Sequence, residues 1–372
     1  MKALIFGAGL MARPVAYDLV RQKDVEKVFV VDQDRTRLRQ LKRWLKSPKL
    51  KTIEADVTNR HLIELLAHCA VGISCVPYEY NLKLTRMAIA AKTNLCDLGG
   101  NNTIVRKQLA LDKKAQAANI TVIPDCGLAP GITNVLVADA VSRLDRTDEV
   151  HIRVGGLPQK PEPPIFYRLV FSAQGLLNEY IEPCLILRNG KIFKVKPMTE
   201  PEEIIFPKPF GRLEAFHTSG GSSTLVETFK DRVQELDYKT IRYPQHRLMF
   251  QLLLRAAVGN WQKLPRSLLA CALEKVLGYE KDDCVLLRVD VRGKLNGRER
   301  LLRYQLIDYA DRKKGLTAMM RTTGFAAAIV ALMLARGEIQ KKGVLPGEKA
   351  IPSKRFIAEL RQRGLNLKYR LV

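Results

Sequence analysis

The feature that most constrains this fold is a glycine-rich turn between an apolar run and a segment of helical spacing. The run Lys2–Phe6 leads directly into Gly7-Ala8-Gly9-Leu10-Met11-Ala12. Gly7 permits a tight turn, and Gly9 has no Cβ, so a pyrophosphate can approach the main-chain amides at the start of the helix. This context predicts a βαβ unit that binds a dinucleotide. The residues predicted to contact the cofactor in this turn are Gly7, Gly9, Leu10 and Met11.

A carboxylate at the end of the next apolar run indicates which dinucleotide is bound. The run Lys27–Val31 is followed by Asp32. A carboxylate at this position accepts hydrogen bonds from both ribose hydroxyls of NAD and repels the extra phosphate of NADP, so we predict NAD as the cofactor. Arg35 and Arg37 follow closely and keep NADP open. An ordinary acidic strand end without a ligand is the structural alternative.

Apolar runs alternate with segments of helical spacing through the first third of the chain. Such alternation is typical of a parallel sheet buried on both faces, wound doubly by right-handed crossovers. The sequence therefore predicts an α/β fold that begins with a doubly wound, parallel-sheet Rossmann domain. The predicted strands are Lys2–Phe6, Lys27–Val31, Lys51–Ala55, Val71–Val76, Thr93–Asp97 and Ile120–Pro124, and the predicted helices are Leu10–Gln22, Arg35–Lys46, Leu62–His68, Tyr80–Lys92 and Ile104–Asn119.

The pattern changes near Thr147, where prolines and strand-like runs predict a second, α+β domain for substrate binding and dimerisation. The runs Cys284–Arg292 and Arg300–Asp308 predict a hairpin joined through Gly293, Asn296 and Gly297. The apolar stretch Leu316–Arg336 predicts a long buried helix. The predicted domains are 1–125, 126–315 and a C-terminal helical segment, 316–372, that returns to the first domain.

Composition argues against several classes of protein. The net charge of +24 is compatible with nucleic-acid binding. However, the densest basic run, Arg35–Lys51, holds Leu38 and Leu41 at helical spacing, which indicates a solvated helix face and no nucleic-acid partner. The apolar segment Thr322–Ala335 is shorter than the ~18–20 residues that cross a bilayer, so no membrane partner is expected. Seven scattered cysteines indicate no metal site and favour the cytoplasm.

Residues at other strand ends are expected to line the same crevice, because ligands bind at the carboxyl ends of parallel strands. Asp56 follows the third strand; it is either a neighbour of the adenine or the cap of its own turn. Val76, Pro77 and Tyr78 follow the fourth strand and are expected beside the nicotinamide. Asp97 ends the fifth strand and is expected to face the crevice.

Several segments together resemble the saccharopine dehydrogenase-like family, and the resemblance covers nearly the whole chain. Two of them, within 154–164 and 213–225, are similar to the lysine 6-dehydrogenases of that family. Ala129 stands where many saccharopine reductases have Asp. The segments are GAGLMARP (7–14), CVPYEYN (75–81), CDLGGN (96–101), PDCGLAPGITN (124–134), VGGLPQKPEPP (154–164), LEAFHTSGGSSTL (213–225) and KTIRYPQH (239–246).

The resemblance implies NAD-dependent oxidative deamination of the ε-amino group of L-lysine, or of a related amino acid. The products would be ammonia and allysine, which cyclises to piperideine-6-carboxylate. It also implies a homodimer built through the second domain. A saccharopine-type dehydrogenase or reductase acting on a secondary amine is the close alternative. A non-catalytic NAD-binding protein, or a basic nucleic-acid-associated protein, is the alternative from another class.

Amine oxidation requires a proton acceptor and a polar pocket, which suggests roles for individual residues. Asp97 would hold the substrate ammonium, with turn capping as its alternative. His217, in a glycine-rich polar loop, would transfer a proton or activate water, unless it is a structural histidine. Arg242 would bind the α-carboxylate, with an internal salt bridge as its alternative. The remaining predicted substrate contacts are Tyr78, Thr218 and Ser219.

Overall fold

The computed structural model describes residues 1–256 and 265–372. These residues form two compact units. The first comprises Met1–Asp139 and Met320–Leu365, and the second comprises Ala140–Met319 and Asn366–Val372. The units therefore divide the chain later than the predicted domain ends at 125 and 315, and the C-terminal strand groups with the second unit. The predicted domain bounds stay a prediction.

The elements follow one another in three stretches. The first contains β1 (Lys2–Phe6), α1 (Ala12–Leu19), β2 (Lys27–Asp32), α2 (Arg35–Leu45), β3 (Leu50–Glu54), α3 (Leu62–Ala67), β4 (Val71–Ser74), α4 (Asn81–Ala91), β5 (Asn94–Asp97), α5 (Asn102–Leu109), α6 (Asp112–Ala117), β6 (Thr121–Ile123) and α7 (Ile132–Val141). The second contains β7 (Arg146–Pro158), α8 (Ala173–Ile181), β8 (Cys184–Arg188), β9 (Lys191–Val195), β10 (Glu202–Phe206), β11 (Gly211–His217), α9 (Leu225–Phe229), β12 (Glu235–Arg242), α10 (His246–Ala256), α11 (Arg266–Leu277), β13 (Asp283–Leu295) and β14 (Arg298–Tyr309). The third contains α12 (Ala318–Ala335), β15 (Gly343–Val344), α13 (Gly347–Ala350), α14 (Ser353–Gln362) and β16 (Lys368–Leu371).

The first unit contains a seven-stranded sheet in the order β15-β6-β5-β4-β1-β2-β3. Its neighbouring strands all pair in parallel. At the centre Ile5 lies in register between Val30 and Ile73, and all three are fully buried. The strand order reverses between β1 and β4, and the carboxyl ends of strands at such a reversal are where ligands bind in these sheets. The predicted doubly wound Rossmann domain is confirmed.

One predicted helix of the first unit is two helices. The spacing predicted a single helix over Ile104–Asn119, whereas α5 ends at Leu109 and α6 begins at Asp112. The Asp112 carboxylate accepts a hydrogen bond of 2.9 Å from the main-chain N–H of Val344 in β15. The break thus places an acceptor where it holds the edge strand of the sheet.

The second unit contains a nine-stranded mixed sheet. Its main path is β10-β11-β12-β7-β13-β14-β16, and β8 joins β9 to β12. Strands β7 and β12 are parallel, whereas β13 and β14 form an antiparallel hairpin. Asn296 and Gly297 have φ values of 52° and 73°, as a type I′ turn requires. The predicted hairpin and the α+β class of this unit are confirmed, but Gly293, predicted in the connection, lies within β13 and pairs with Arg300.

Helix α12 is apolar enough, and with 18 residues long enough, to cross a membrane, but 89% of it is buried within the protein. Such burial is expected of a core helix. Gly324 allows close packing on α1, since a Cβ at this position would lie 2.2 Å from Cγ of Pro14. At the other end, the buried carboxylate of Asp283 accepts hydrogen bonds from the main-chain N–H groups of Ala318 and Met319 and caps the helix.

We expect Asp283→Ala to lower the free energy of unfolding by about 1–3 kcal/mol, because it removes the acceptor of two buried main-chain N–H groups. The adjacent Asp282 pairs with Arg312 at the surface and provides the control. Asp282→Ala should unfold close to the wild type. Chemical denaturation followed by far-ultraviolet circular dichroism measures both variants. A wild-type midpoint for Asp283→Ala would contradict the capping role.

Candidate functional site

Gly7 is required by the packing of the turn that follows β1. Its φ is +96°, and its N–H donates a hydrogen bond of 2.7 Å to the carbonyl oxygen of Val31. A Cβ at this position would lie 2.9 Å from Cγ1 of Val76 and 3.0 Å from the carbonyl oxygen of Cys75. Any larger residue would therefore displace the segment that follows β4.

Gly9 meets no such constraint. A Cβ at Gly9 would meet no atom within 4 Å among the residues that the structure describes. Helix α1 begins beyond it with no acidic residue in its first turn and no hydrogen bond from the side chain of Met11, its N-cap residue. Leu10 is 40% exposed. Open space before an uncapped helix N-terminus fits an anionic group such as a pyrophosphate.

Asp32 lies where the sequence predicted, at the end of β2, and it also organises the turn. One carboxylate oxygen accepts a hydrogen bond of 2.7 Å from the N–H of Ala8, and the other accepts one of 2.8 Å from the N–H of Asp34. The Asp34 side chain in turn caps α2 through the N–H groups of Thr36 and Arg37. Asp32 is therefore fixed beside the glycine-rich turn.

The other predicted crevice residues differ in their surroundings. Asp56 is exposed, and its Oδ1 accepts hydrogen bonds of 2.7 Å from both the N–H and the hydroxyl of Thr58, which lower the pKa of Asp56. These contacts favour the turn cap over an adenine contact. Val76 and Tyr78 are half-buried and Pro77 is exposed at the end of β4.

Asp97 is fully buried, and its carboxylate is engaged within the first unit. It accepts hydrogen bonds from the N–H of Gly99 at 2.8 Å, the side-chain amide of Gln108 at 2.7 Å and the N–H of Asp125 at 3.3 Å. Burial raises the pKa of Asp97, although these three donors oppose the increase. The contacts favour the alternative in which Asp97 holds the turn after β5, rather than a contact with substrate.

In the second unit the predicted Arg242 ends β12 and is only 2% exposed. Its Nε donates to the Tyr180 hydroxyl and its Nη1 donates to the carbonyl oxygen of Ile241, both at 2.9 Å. The guanidinium carbon lies 4.6 Å from the centre of the Tyr167 ring. Among the described residues, none accepts a hydrogen bond from Nη2; Oε2 of Glu179 is 3.7 Å away.

Tyr180 and His246 fix the orientation of this guanidinium. The Tyr180 hydroxyl lies 2.9 Å from Nε2 of His246, and Nδ1 of His246 lies 2.8 Å from the carbonyl oxygen of Ile165. Burial, together with the charge of Arg242, lowers the pKa of His246 to about 3, so the ring is neutral. Nδ1–H therefore donates to Ile165, Nε2 accepts the Tyr180 O–H, and the Tyr180 oxygen accepts from Arg242.

Two members of this cluster, Glu179 and Tyr167, were not predicted from the sequence. The Glu179 side chain is 24% exposed, and burial raises its pKa to about 7 against the opposing effect of Arg242. Tyr167 is 4% exposed, and its hydroxyl has no hydrogen-bond partner among the described residues. Neither residue belongs to a motif: a Glu on an amphipathic helix resembles a solvated position, and a single Tyr resembles core.

His217 does not share a face of the sheet with Arg242. It pairs with Lys239 across the β11–β12 ladder, three residues from Arg242, and side chains alternate between faces along a strand. His217 is 1% exposed; Nδ1 lies 3.2 Å from the carbonyl oxygen of Tyr238, and Nε2 lies 3.2 Å from Oε2 of Glu200. These contacts favour a structural histidine, and its role in proton transfer stays a prediction.

Thr218 and Ser219 lie nearer the Arg242 cluster. Thr218 Oγ1 is 2.6 Å from Oγ1 of Thr240, whose side chain is on the same face as Arg242. The N–H of Ser219 donates a hydrogen bond of 2.9 Å to the carbonyl oxygen of Glu179. The polar loop is thereby attached to α8, and its predicted substrate contacts stay predictions.

A parallel sheet with a glycine-rich turn at its switch point, joined to a mixed-sheet unit, defines a two-domain dehydrogenase fold of the Rossmann type. Two family models match the chain. The saccharopine dehydrogenase NADP binding domain matches residues 3–123, and the saccharopine dehydrogenase C-terminal domain matches residues 127–365. The chain belongs to the saccharopine dehydrogenase family, which confirms the predicted resemblance.

Individual relatives are consistent with this family assignment. The chain is 27% identical over 201 residues to the mitochondrial alpha-aminoadipic semialdehyde synthase of Bos taurus, covering 51% of this chain and 21% of that protein. It is 28% identical over 203 residues to saccharopine dehydrogenase [NADP(+), L-glutamate-forming] of Saccharomyces cerevisiae, covering 51% and 42%. These matches thus span less than half the length of either relative.

Similarity to a solved structure extends over the whole chain. Apo histidine-tagged saccharopine dehydrogenase (L-Glu forming) from Saccharomyces cerevisiae superposes with a TM-score of 0.80 at 21% identity, covering 100% of this chain and 99% of that chain. The superposition shows that the two chains share a fold.

The two glycines of the turn should respond differently to the same substitution. Gly9→Ala should leave the melting temperature unchanged, because the added methyl group meets open space, but should weaken dinucleotide binding at least ~10-fold by obstructing the phosphates. Gly7→Ala should lower the melting temperature, because the methyl group collides with Val76 and the main chain. Differential scanning fluorimetry and calorimetric titration with NAD measure the two effects. Unchanged NAD affinity in Gly9→Ala would contradict the assigned pyrophosphate position.

Proposed function

We propose that this chain is an NAD-dependent dehydrogenase that oxidises the carbon bearing the ε-nitrogen of L-lysine. The ε-ammonium loses a proton, the carbon–nitrogen bond is oxidised to an iminium, and water adds to release ammonia and allysine, which cyclises to piperideine-6-carboxylate. The bound nicotinamide would supply the two-electron acceptor. Residues of this chain would hold the cofactor and the substrate.

The observation that carries the proposal is the incompletely paired guanidinium of Arg242. Nε and Nη1 each donate a hydrogen bond, whereas no described residue accepts one from Nη2, which lies 3.7 Å from Oε2 of Glu179. A carboxylate is the ligand that best matches an arginine in a fixed orientation. An α-carboxylate at Arg242 supports an amino acid as the substrate.

The geometry of the first unit supports the choice of cofactor. Gly9 leaves room for the pyrophosphate at the start of α1, and Asp32 is held beside the turn by two main-chain N–H groups. A fixed carboxylate at this position favours the free ribose hydroxyls of NAD over the phosphate of NADP. The matching family model is that of an NADP binding domain, and the substitution of Asp32 distinguishes the two cofactors.

Saccharopine is the second candidate substrate, because the curated relatives include an L-glutamate-forming saccharopine dehydrogenase. The two reactions oxidise the same carbon of the lysine moiety and differ in the group attached to its nitrogen. The saccharopine reaction releases glutamate where the lysine reaction releases ammonia. The released product therefore separates the candidates.

The proposal includes a homodimer built through the second domain and a cytoplasmic location. The homodimer is what the resemblance to lysine 6-dehydrogenases implies, and the cytoplasmic location rests on cysteine usage. Light scattering on the purified chain tests the dimer.

We expect purified protein to reduce NAD with L-lysine, releasing one ammonia for each NADH. The rate should rise towards alkaline pH, because the ε-ammonium has a reference pKa of ~10.4 and must lose its proton. Absorbance of NADH and an enzymatic ammonia assay measure the two products. Saccharopine with NAD or NADP, followed by a glutamate assay, forms the parallel experiment. Reduction only with saccharopine would replace the lysine assignment, and reduction with neither would refute the proposal.

Asp32→Ala should weaken NAD binding about tenfold and reduce discrimination against NADP, because it removes both the acceptor of the ribose hydroxyls and the charge that repels the phosphate. Asp34→Ala is the matched control: it removes a neighbouring carboxylate that caps α2. Its ratio of NADP to NAD dissociation constants should equal that of the wild type. An unchanged ratio in Asp32→Ala would refute the ribose assignment.

A further inference from the structure

We propose that Arg242 and Glu179 together bind the zwitterionic head of an α-amino acid, Arg242 holding the carboxylate and Glu179 holding the α-ammonium group. The inference rests on the proposed function in one respect: the nitrogen that reacts is the ε-nitrogen at the far end of the side chain, so the α-ammonium group is free to bind Glu179. It adds a binding residue, Glu179, for the α-ammonium group of the substrate.

Arg242 and Glu179 form an ion pair without a direct hydrogen bond. Nη2 of Arg242 and Oε2 of Glu179 are 3.7 Å apart, beyond hydrogen-bond distance, and no side-chain hydrogen bond joins Glu179 to another described residue. The carboxylate is the accessible member of the pair, since its side chain is 24% exposed and that of Arg242 only 2%. Arg242 and Glu179 are thus close enough to attract one another, but no hydrogen bond joins them.

The charges of these groups match those of a ligand with both signs. An α-amino acid carries a carboxylate and an ammonium on one carbon, and Arg242 and Glu179 offer the opposite charges 3.7 Å apart. Arg242 is oriented by Tyr180 and His246, so its free edge points in a fixed direction. A simple carboxylic acid would satisfy Arg242 alone and leave Glu179 unpaired, and a simple amine would do the reverse. Both would bind less well than the amino acid.

Glu179 is also the member of this cluster that changes charge near neutral pH. Burial raises its pKa to about 7. The groups that face it stay in one state: Arg242 is charged, and burial raises the pKa of Tyr167 and Cys184 to about 12 and that of Tyr238 further. His246, next to Arg242, is neutral because its pKa is about 3.

One more carboxyl group titrates nearby. Burial raises the pKa of Asp283, the cap of α12, to about 7, and Asp283 acts electrostatically on Tyr167. It is unchanged in a Glu179 variant. A pH effect that disappears in Glu179→Gln therefore belongs to Glu179.

Calorimetric titration of the full chain with L-norleucine, with and without NAD, tests the inference. Norleucine has the α-amino-acid head but no distal nitrogen, so its binding does not depend on catalysis. Glu179→Gln should weaken norleucine binding at about pH 8 by at least ~10-fold, because it removes the charge opposite the ammonium. Hexanoate, which has no ammonium, should bind the variant as well as it binds the wild type. Glu203→Gln, an exposed Glu in the same unit, is the matched control and should bind both ligands normally.

The pH profile supplies a readout that a structural role would not change. Wild-type affinity for norleucine should fall about tenfold from about pH 8 to about pH 6 as Glu179 is protonated, and Glu179→Gln should show no such fall. Circular dichroism and the melting temperature verify that the variant is folded. Wild-type affinity in Glu179→Gln, a pH profile unaltered by the substitution, or no norleucine binding by the wild type would each overturn the inference. If lysine is turned over but any of these results is found, the proposed function stands and the role of Glu179 is refuted. If norleucine binds as expected but lysine is not turned over, the role of Glu179 stands and the proposed function is refuted.

Discussion

The candidate site of the second unit is organised around the buried positive charge of Arg242. Removing a guanidinium from water costs several kcal/mol unless its donors are paired and an opposite charge is near. Tyr180 and the Ile241 carbonyl oxygen each take one donor of Arg242, and the Tyr167 ring lies over the guanidinium. His246 contributes by remaining neutral, since a second cation at that position would repel Arg242. The carboxylate of Glu179 is the opposite charge beside Arg242, but it lies beyond hydrogen-bond distance of the guanidinium.

The first unit shows how one carboxylate can serve the fold and a ligand together. Asp32 accepts hydrogen bonds from Ala8 in the turn and from Asp34 before α2. Each carboxylate oxygen has more than one lone pair, so these bonds leave capacity for ribose hydroxyls. The same bonds fix the direction in which the carboxylate points. An acidic residue at this position therefore shapes the turn before any cofactor arrives.

Much of the fold could be predicted from local pattern. The strand–glycine–helix sequence at Gly7, the alternation of apolar runs and the Asn296-Gly297 turn are decided by residues close together in the chain. The arrangement of the candidate site could not be predicted in the same way. The opposite facing of His217 and Arg242 depends on the register of two strands, and a shift by one residue would reverse it. Glu179 becomes notable only through its distance from Arg242, which no local pattern contains. The surroundings of Asp97 were hidden from local pattern for a related reason, because two of its hydrogen-bond donors, Gln108 and Asp125, are distant in the chain.

Two ionisations with different meanings follow from the proposed chemistry. Glu179 belongs to the protein and changes charge near neutrality, so it affects how much substrate is held. The ε-ammonium belongs to the substrate and has a reference pKa of ~10.4, so its deprotonation affects how fast held substrate reacts. The first ionisation would appear in KM and the second in kcat. Both favour alkaline conditions, but they are separated by about three pH units on these values. A rate profile measured at saturating lysine would therefore show the substrate ionisation without that of the carboxylate, whereas kcat/KM would contain both.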